Sequence, residues 1–350
     1  MDFTDLFLLV GTNPLPNYVT AKYLVDLNPK LERIWLIYSE KTKFHESTLD
    51  YAENIKKVLK QTITKPVEFP QYISLSDIGS AKKIIDDLRM SLSAKTIPSD
   101  TKFHLNYTGG TKAMAVHVYR YFYETYENSV SFSYLDGREY VIKDECDEIP
   151  AVDLREKIGI SLENIIELHG YKKDPDRNHR DIETVNVLKN KLFDETINNM
   201  DKGPLLEDYV YAVIKQGIEN DQVLLKKFKS GLITLNKDWF IRKLYDGKSF
   251  QLDVIITNGY QLCPISCTVT NSPERCKIKG FEVYHRGQQI GGEESKKILV
   301  AGKLKESEKK AFENDLEIFS GFSKSNFLVL GENDLKYDLI WKKIKDHLWR

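Results

Sequence analysis

The first 145 residues alternate short apolar runs with segments of helical periodicity, and this alternation limits the folds open to them. The apolar runs over residues 7–10 and 34–38 are each followed by a polar loop and then by a helical pattern. Strands that alternate with helices form a parallel sheet covered by helices on both faces. We therefore expect a Rossmann-like α/β domain over residues 1–145.

The same pattern continues along this domain. It predicts helices over residues 17–27, 47–60 and 113–126, further strands over 67–73 and 101–105, and a hairpin of strands 130–135 and 139–142. A further helix, capped by Ser76 or Asp77, is expected to end at Met90.

Polar loops follow three of these strands and are expected to meet at one edge of the sheet. In parallel α/β sheets, ligands bind outside the carboxyl ends of the strands. The loops carry glycines, hydroxyls, amides and two lysines but no obvious catalytic base, which indicates a polar, phosphorylated ligand. The candidate ligand-binding residues are Gly11, Thr12, Asn13, Ser39, Lys41, Thr42, Asn106, Thr108, Gly109, Gly110, Thr111 and Lys112.

The strand-to-helix turn at residues 106–112, Asn-Tyr-Thr-Gly-Gly-Thr-Lys, is the most distinctive of these loops. Adjacent glycines let the backbone approach a ligand, and a helix that starts at the turn attracts phosphate. The spacing is neither that of a Walker P-loop nor that of the dinucleotide fingerprint. The alternative is a tight turn with a solvated lysine.

Composition indicates a soluble protein with two domains. The chain has 350 residues, a net charge of −1 and 41% hydrophobic residues, which argues against a uniformly basic nucleic-acid-coating protein. No run of eighteen apolar residues is present, so we expect no membrane span and a cytoplasmic location. The four cysteines are expected to be reduced thiols; Cys263, Cys267 and Cys276 lack a fourth ligand at a zinc-finger spacing.

A second domain is expected over residues 201–350, after a charge-rich helical connector over residues 146–200. Its predicted elements are helices from Gly203 and over 278–289 and 337–348, a hairpin of strands 251–257 and 261–266, and strands 298–300 and 327–330. The hairpin turns at Asn258-Gly259, a strong turn signal.

With these residues in place, the chain resembles the CARF-domain effectors of type III CRISPR systems that fuse a CRISPR-associated Rossmann fold to a nuclease-like domain. The resemblance rests on residues 11–14 (Gly-Thr-Asn-Pro), on residues 106–112, and on a C-terminal series formed by Leu206-Glu207, residues 252–254 (Leu-Asp-Val) and the stretch from Phe281-Glu282 to Gly291-Gly292. It implies that the first domain binds cyclic oligoadenylate, with the tetra-adenylate expected, as a homodimer. It also implies a restriction-endonuclease-like (PD-(D/E)XK-like) second domain.

In PD-(D/E)XK enzymes, a helix acid, a strand Asp and an E-x-K element gather a divalent metal and a lysine. Glu207 and Asp253 match the first two positions, whereas Ser266-Cys267-Thr268 stands where E-x-K is expected. Either the missing groups are supplied by Lys279 and Glu282, with Lys277 nearby, or the site is inactive. The first alternative makes Glu207, Asp253 and Glu282 the ligands of Mg²⁺ or Mn²⁺.

The leading hypothesis is therefore a metal-dependent nuclease, activated by cyclic oligoadenylate, that cuts DNA, RNA or both. One alternative is a sensor whose degenerate nuclease domain serves as a binding module or ligand sink. Another is a ring nuclease that degrades the cyclic ligand.

Overall fold

The computed structural model describes residues 1–69, 72–94, 100–174, 182–243, 249–320 and 326–349. Contacts divide the chain into two compact units. The first unit comprises Met1–Ile158 and Glu167–Gly170, and the second comprises Gly159–Ile166 and Tyr171–Arg350. The segment predicted as a connector, residues 146–200, is thus shared between the two units; its residues 175–181 lie outside the described residues.

The first unit is built on a six-stranded sheet with strand order β3-β2-β1-β4-β5-β6. The first five strands are parallel and β6 is antiparallel. The elements in chain order are β1 (Asp5–Leu9), α1 (Leu15–Leu27), β2 (Arg33–Ser39), α2 (Leu49–Thr62), β3 (Ile73–Leu75), α3 (Ala81–Ser93), β4 (Phe103–Asn106), α4 (Lys112–Tyr126), β5 (Val130–Asp136) and β6 (Val141–Asp144).

This arrangement confirms the Rossmann-like prediction, because each of the first four parallel strands leads into a helix that returns along the sheet. All five residues of β1 are buried, as expected for a central strand covered on both faces. Phe7 lies at the centre of one apolar core, stacked on Trp35 with ring centroids 5.3 Å apart.

The second unit has a mixed six-stranded sheet, with strand order β12-β11-β10-β9-β8-β7. Strands β7 to β10 are antiparallel neighbours, and β10, β11 and β12 are parallel. The elements from residue 159 onward are α5 (Leu162–Leu168, whose last two residues belong to the first unit), β7 (Tyr171–Lys173), α6 (Val185–Phe193), α7 (Asn199–Glu219), α8 (Gln222–Lys229), β8 (Ile233–Lys243), β9 (Ser249–Asn258), β10 (Gln261–Thr268), α9 (Pro273–Gly291), β11 (Lys297–Ala301), α10 (Glu306–Ser320), β12 (Phe327–Leu330) and α11 (Tyr337–Trp349).

Several sequence predictions are corrected by the structure. The third strand begins only at Ile73, and its following helix is capped by Ser80, whose hydroxyl accepts from the Lys83 amide. Ser76 instead donates its amide and hydroxyl to Asp87. The sequence analysis did not predict four elements, β7, β8, α8 and α10.

Candidate functional site

The carboxyl ends of β2, β1 and β4 lie side by side in the first unit, so their loops share one edge of the sheet. The loop after β1 carries Gly11, Thr12 and Asn13, and the turn after β4 carries residues 107–111. This edge is where parallel sheets of this kind bind ligands. The three loops predicted to form a site are therefore neighbours.

Two of these loops touch through their glycines. A Cβ atom on Gly109 would lie 2.0 Å from the carbonyl oxygen of Leu9, and one on Gly11 would lie 2.9 Å from the amide nitrogen of Gly110. Gly110 also has a φ of 74°, which glycine adopts without strain. The glycines are therefore required because two backbones approach each other here, and together they build the floor of the edge.

Asn106 and Thr108 hold the turn from inside. The buried Asn106 amide donates to the Ser133 hydroxyl at 2.9 Å, while its oxygen accepts from the Thr108 hydroxyl at 2.7 Å. The Thr108 oxygen in turn accepts from the Leu135 amide at 2.6 Å. The role that the structure gives these two predicted ligand residues is therefore to shape the turn.

His104 supports the same network from below and was not identified from the sequence. Its ring nitrogens lie 2.7 Å from the hydroxyls of Ser131 and Ser133. Burial lowers the pKa of His104 to about 3, so the ring is neutral at neutral pH. Its position in a strand with serines opposite would have been the only signal.

The side chains that remain outward at this edge are Thr12, Thr111 and Lys112, which are all exposed. Thr111 caps α4 by accepting from the Met114 amide at 3.2 Å, and Lys112 is the first residue of the helix. An exposed helix start with a lysine beside it favours an anion. Among the predicted ligand residues at this edge, these three are therefore accessible to a ligand.

The loop after β2 combines buried and exposed members. Ser39 is buried, and its amide donates to the Thr48 hydroxyl at 3.0 Å, so it anchors the loop. Thr42 closes a turn by accepting from the His45 amide at 3.2 Å. Lys41 is exposed and forms an ion pair with Glu46 at 2.9 Å. Of the three predicted residues, Lys41 and Thr42 are therefore the more accessible.

Asn13 links the first loop to a distant part of the chain. Its side-chain oxygen accepts from the Leu15 amide and lies 3.3 Å from Nε2 of His169. His169 belongs to the short segment Glu167–Gly170 that is part of the first unit. The sequence offered no indication of this pairing across 156 positions.

The second unit brings Glu207 and Asp253 into electrostatic contact. Glu207 lies on α7, and Asp253 lies on β9 opposite β10. Asp253 accepts from the Cys267 amide at 2.8 Å and from the Ser266 hydroxyl at 3.2 Å. Ser266 stands where the E-x-K element of PD-(D/E)XK enzymes has its glutamate, and its hydroxyl donates to Asp253.

Both carboxyls lie in a site that disfavours negative charge. Burial and the charge of Asp253 raise the pKa of Glu207 to about 8. Burial also raises the pKa of Asp253, against the opposing effects of its bond from Cys267 and the nearby Lys279 ammonium. Two half-buried carboxyls that repel each other attract either a proton or a cation.

A buried lysine that was not among the predicted site residues lies beside these carboxyls. Together with Glu207, Asp253, Asp208 and Asp238 it forms what we call the acidic cluster. Lys237 on β8 is 7% exposed; its ammonium forms an ion pair with Asp208 and lies 3.1 Å from Asp238. Asp208 follows Glu207 directly, and Lys237 lowers the pKa of Glu207. The signal was present in the alternation of Ile233, Lys237, Trp239 and Ile241, since Lys237 occupies a core-facing position of the strand.

Lys279 and Glu282 lie on α9, where they form an ion pair of 3.0 Å with half-exposed side chains. Lys277 pairs with Asp315 instead. No group of three His, Cys, Asp or Glu in the described residues could hold a metal ion, so Glu207, Asp253 and Glu282 are not gathered into one such group. Glu282 instead has Lys279 as its ion-pair partner on the same helix.

The cysteines are free thiols in the structure. Cys263, Cys267 and Cys276 are buried, while Cys146 is exposed. Burial raises the pKa of Cys267, and the charges of Asp253 and Glu207 raise it further. These buried thiols are therefore protonated and pack as small apolar groups.

Comparison with known proteins agrees with the two-unit architecture. Residues 6–164 match the family model described as the Card1 CARF domain. The structure is similar to that of Can2 from Sulfobacillus thermosulfidooxidans in complex with cyclic tetra-adenylate, with a TM-score of 0.64, 15% identity and coverage of 99% of each chain. It is also similar to protein VC1899 from Vibrio cholerae, with a TM-score of 0.67, 11% identity and coverage of 98% of each chain.

A third similar structure is a type III CRISPR defence DNA nuclease activated by cyclic oligoadenylate, with a TM-score of 0.57 and 16% identity. That match covers 87% of this chain and 46% of the other. No curated protein matches the chain. Among the described residues, none of the helices has the length and apolar character needed to cross a membrane. The chain therefore consists of an N-terminal Rossmann-like domain with the CARF fold and a second α/β domain.

Proposed function

We propose that the first unit binds a cyclic oligoadenylate, with the tetra-adenylate as the expected ring, and that the chain is a ligand-activated effector of type III CRISPR defence. The observation that carries this proposal is the contact of Gly11 with the Gly109–Gly110 turn, beside the exposed Lys112 at the start of α4. The match to a CARF family model and the fold shared with Can2 support the choice of ligand.

The chemistry of this edge suits a phosphodiester ring. Helix N–H groups and a lysine interact with phosphate, and glycines let a ring approach the backbone closely. One chain carries one copy of the residue 106–112 turn. A homodimer would place two identical edges around a ring that has its own symmetry. We therefore propose that the protein acts as a homodimer, in the cytoplasm.

For the second unit, we propose a restriction-endonuclease-like domain that cleaves nucleic acid with Mg²⁺ or Mn²⁺. Mg²⁺ commonly binds through only one or two carboxylates together with waters and substrate phosphates. Glu207 and Asp253 fit that requirement. Their negative charges repel each other, and a bound divalent cation would offset this repulsion. The bound ion would activate water and stabilise charge on the phosphate.

The remaining residues have supporting roles in this proposal. Ser266 and the Cys267 amide orient Asp253 by hydrogen bonds. Lys279 is close enough to Asp253 to lower its pKa, so it is the lysine that we assign to the role of the E-x-K lysine. Glu282 would reach a metal only after leaving its ion pair with Lys279, which makes it the weakest member of the predicted set.

A panel of cleavage assays tests both parts. The protein is incubated with single-stranded RNA, single-stranded DNA and supercoiled DNA, with Mg²⁺ or Mn²⁺, and with or without cyclic tetra-adenylate. We expect cleavage that needs both ligand and metal. Asp253→Ala should abolish it and keep ring binding by calorimetry, and Lys279→Ala should reduce it more than the control Lys277→Ala. Cleavage by Asp253→Ala at the wild-type rate would show that the active site lies elsewhere.

One observation favours a second candidate function. The acidic cluster already contains the Lys237 ammonium as a counter-ion, and Ser266 and Thr268 replace the acid and lysine of the E-x-K element. These features suit a ligand sensor whose second unit binds a partner without cleaving it. Ring binding with no cleavage in any arm of the panel would support this function. Loss of the ring itself would instead identify a ring nuclease.

A further inference from the structure

The loop after β2 presents an aromatic side chain to solvent. Phe44 is 89% exposed, more than any other large hydrophobic residue in the described part of the chain. Burying a phenylalanine side chain contributes about 1.5–3 kcal/mol. At 89% exposure, Phe44 gains little of this energy from the fold, and its ring is accessible to another molecule.

The loop holds Phe44 outward through its own hydrogen bonds. The Thr42 amide donates to the His45 carbonyl at 2.9 Å, and the Thr42 hydroxyl accepts from the Phe44 amide at 3.2 Å. The ion pair between Lys41 and Glu46 closes the base of the same turn. Phe44 is therefore presented from a closed, hydrogen-bonded turn.

The turn that carries Phe44 lies at the edge of the sheet where the other predicted ligand loops meet. Strand β2 pairs with β1, so the loop that follows β2 flanks the loop of Gly11 and the Gly109–Gly110 turn. Two exposed lysines precede the aromatic ring in the same turn: Lys43 is its neighbour in sequence, and Lys41 lies three positions before it. An aromatic ring that follows two lysines, at the edge proposed to bind a nucleotide ring, combines base stacking with phosphate attraction.

We propose that Phe44 stacks on an adenine base of the bound ring. The inference rests on the proposed ligand of the first unit and adds the group that reads its bases. The glycine turn, Thr111 and Lys112 offer contacts for phosphate, which every oligonucleotide carries. Stacking on an aromatic face supplies the base contact that these residues lack, and it favours purines with large π surfaces.

Calorimetry with cyclic tetra-adenylate tests the assignment on the full chain. Phe44→Ser should weaken binding about tenfold, because a base–aromatic stack contributes about 1–3 kcal/mol and each 1.4 kcal/mol is a factor of ten. Phe44→Trp should retain affinity. The matched control is Met90→Ser, which removes a 63% exposed side chain near the C-terminal end of α3, away from this edge.

A spectroscopic arm gives a direct readout. The indole of Phe44→Trp should change its emission when cyclic tetra-adenylate is added, measured as the difference from wild-type protein, which contains four tryptophans. Unchanged ring affinity in Phe44→Ser, or no difference signal in Phe44→Trp, overturns the inference. A Phe44→Ser protein that loses its dimeric mass in light scattering while binding the ring normally would assign Phe44 to a contact between copies, which also overturns it.

The binding experiments distinguish failure of the proposed ring binding from failure of the stacking role of Phe44. If wild-type protein binds no cyclic oligoadenylate of any ring size, the proposed function is wrong and the stacking role is wrong with it. If wild-type protein binds the ring and the Phe44 variants behave as wild type, only the stacking role is wrong. Thermal unfolding of each variant serves as the folding control.

Discussion

The imidazole Nε2 of His169 lies 3.3 Å from the side-chain oxygen of Asn13, which joins the loop after β1 to the residues that precede β7. The segment Glu167–Gly170 is held further by the ion pair of Lys57 with Glu167 and by the bond from the Asn54 amide to the Leu168 carbonyl. Strand β7 begins two residues after His169 and pairs with β8. The residue that contacts Asn13 is therefore only two positions from the first strand of the second sheet.

We expect His169→Ala to uncouple ligand binding from this route. In wild-type protein, cyclic tetra-adenylate should slow amide exchange in residues 169–173, because ordering Asn13 restrains His169. The variant should bind the ring within a few-fold of wild type and lose that protection. His285→Ala, an exposed histidine of α9, is the control. Full protection in His169→Ala would show that the bond carries no coupling.

Lys112→Ala should weaken ring binding tenfold or more. Loss of one charge-assisted hydrogen bond to phosphate costs about 1.5–3 kcal/mol. Calorimetry at two salt concentrations should also show a smaller salt dependence, since a charged contact has been removed. The control is Lys60→Ala, which removes an exposed lysine from the last turn of α2. Equal affinity in Lys112→Ala and wild type would place the phosphate elsewhere.

Gly109→Ala should destabilise the first unit because its Cβ atom has no room. The added methyl would lie 2.0 Å from the Leu9 carbonyl oxygen, so β1 and the turn must separate. Such overpacking costs about 1–3 kcal/mol in the free energy of unfolding, measured by urea denaturation. Gly203→Ala is the opposite case, since nothing lies within 4 Å of its Cβ position in α7. It should stabilise by about 0.5–1 kcal/mol.

The raised pKa of Glu207 predicts how the free energy of unfolding depends on pH. Its pKa is raised from 4.5 to about 8, so the folded state keeps a proton that the unfolded state releases. The contribution of this group is therefore fully present below about pH 4.5 and is lost as pH rises toward 8, with a slope of at most about 1.4 kcal/mol per pH unit. Glu207→Gln should remove this slope.

The corresponding measurement is denaturant unfolding at several pH values between 5 and 9. The stability difference between Glu207→Gln and wild type should grow in favour of the variant as pH rises. Mn²⁺ should stabilise wild-type protein at pH 8 more than the variant, because a cation can replace the proton. Parallel pH curves for the two proteins would contradict the perturbed carboxyl.

Lys237→Met should destabilise the second unit strongly. Removing one partner of a buried ion pair leaves Asp208 and Asp238 without their counter-ion, which costs about 3–5 kcal/mol. Lys279→Met is the matched control, since its ion pair is half exposed and contributes at most about 1 kcal/mol. The comparison is made by denaturant unfolding of the full chain. Similar losses in both variants would mean that Lys237 is not the counter-ion of the cluster.

Local sequence patterns were sufficient to predict the Rossmann-like fold and the edge of the sheet where the loops meet. Both follow from local patterns: apolar runs that alternate with helical periodicity, and glycines directly after strands. The hairpin around Asn258-Gly259 was likewise predicted from its turn residues, and β9 and β10 pair there. These features depend on residues that are neighbours in the chain.

Long-range packing, in contrast, sets which polar residues bond inward and which face outward. Asn106 and Thr108 bond inward to Ser133 and to the Leu135 amide, more than twenty residues away, so their burial could not be read from the turn itself. The same holds for Lys237, whose partner Asp208 lies 29 positions earlier. Long-range pairing sets the charge and exposure of such groups, because desolvation depends on what packs around them and not on their sequence neighbours.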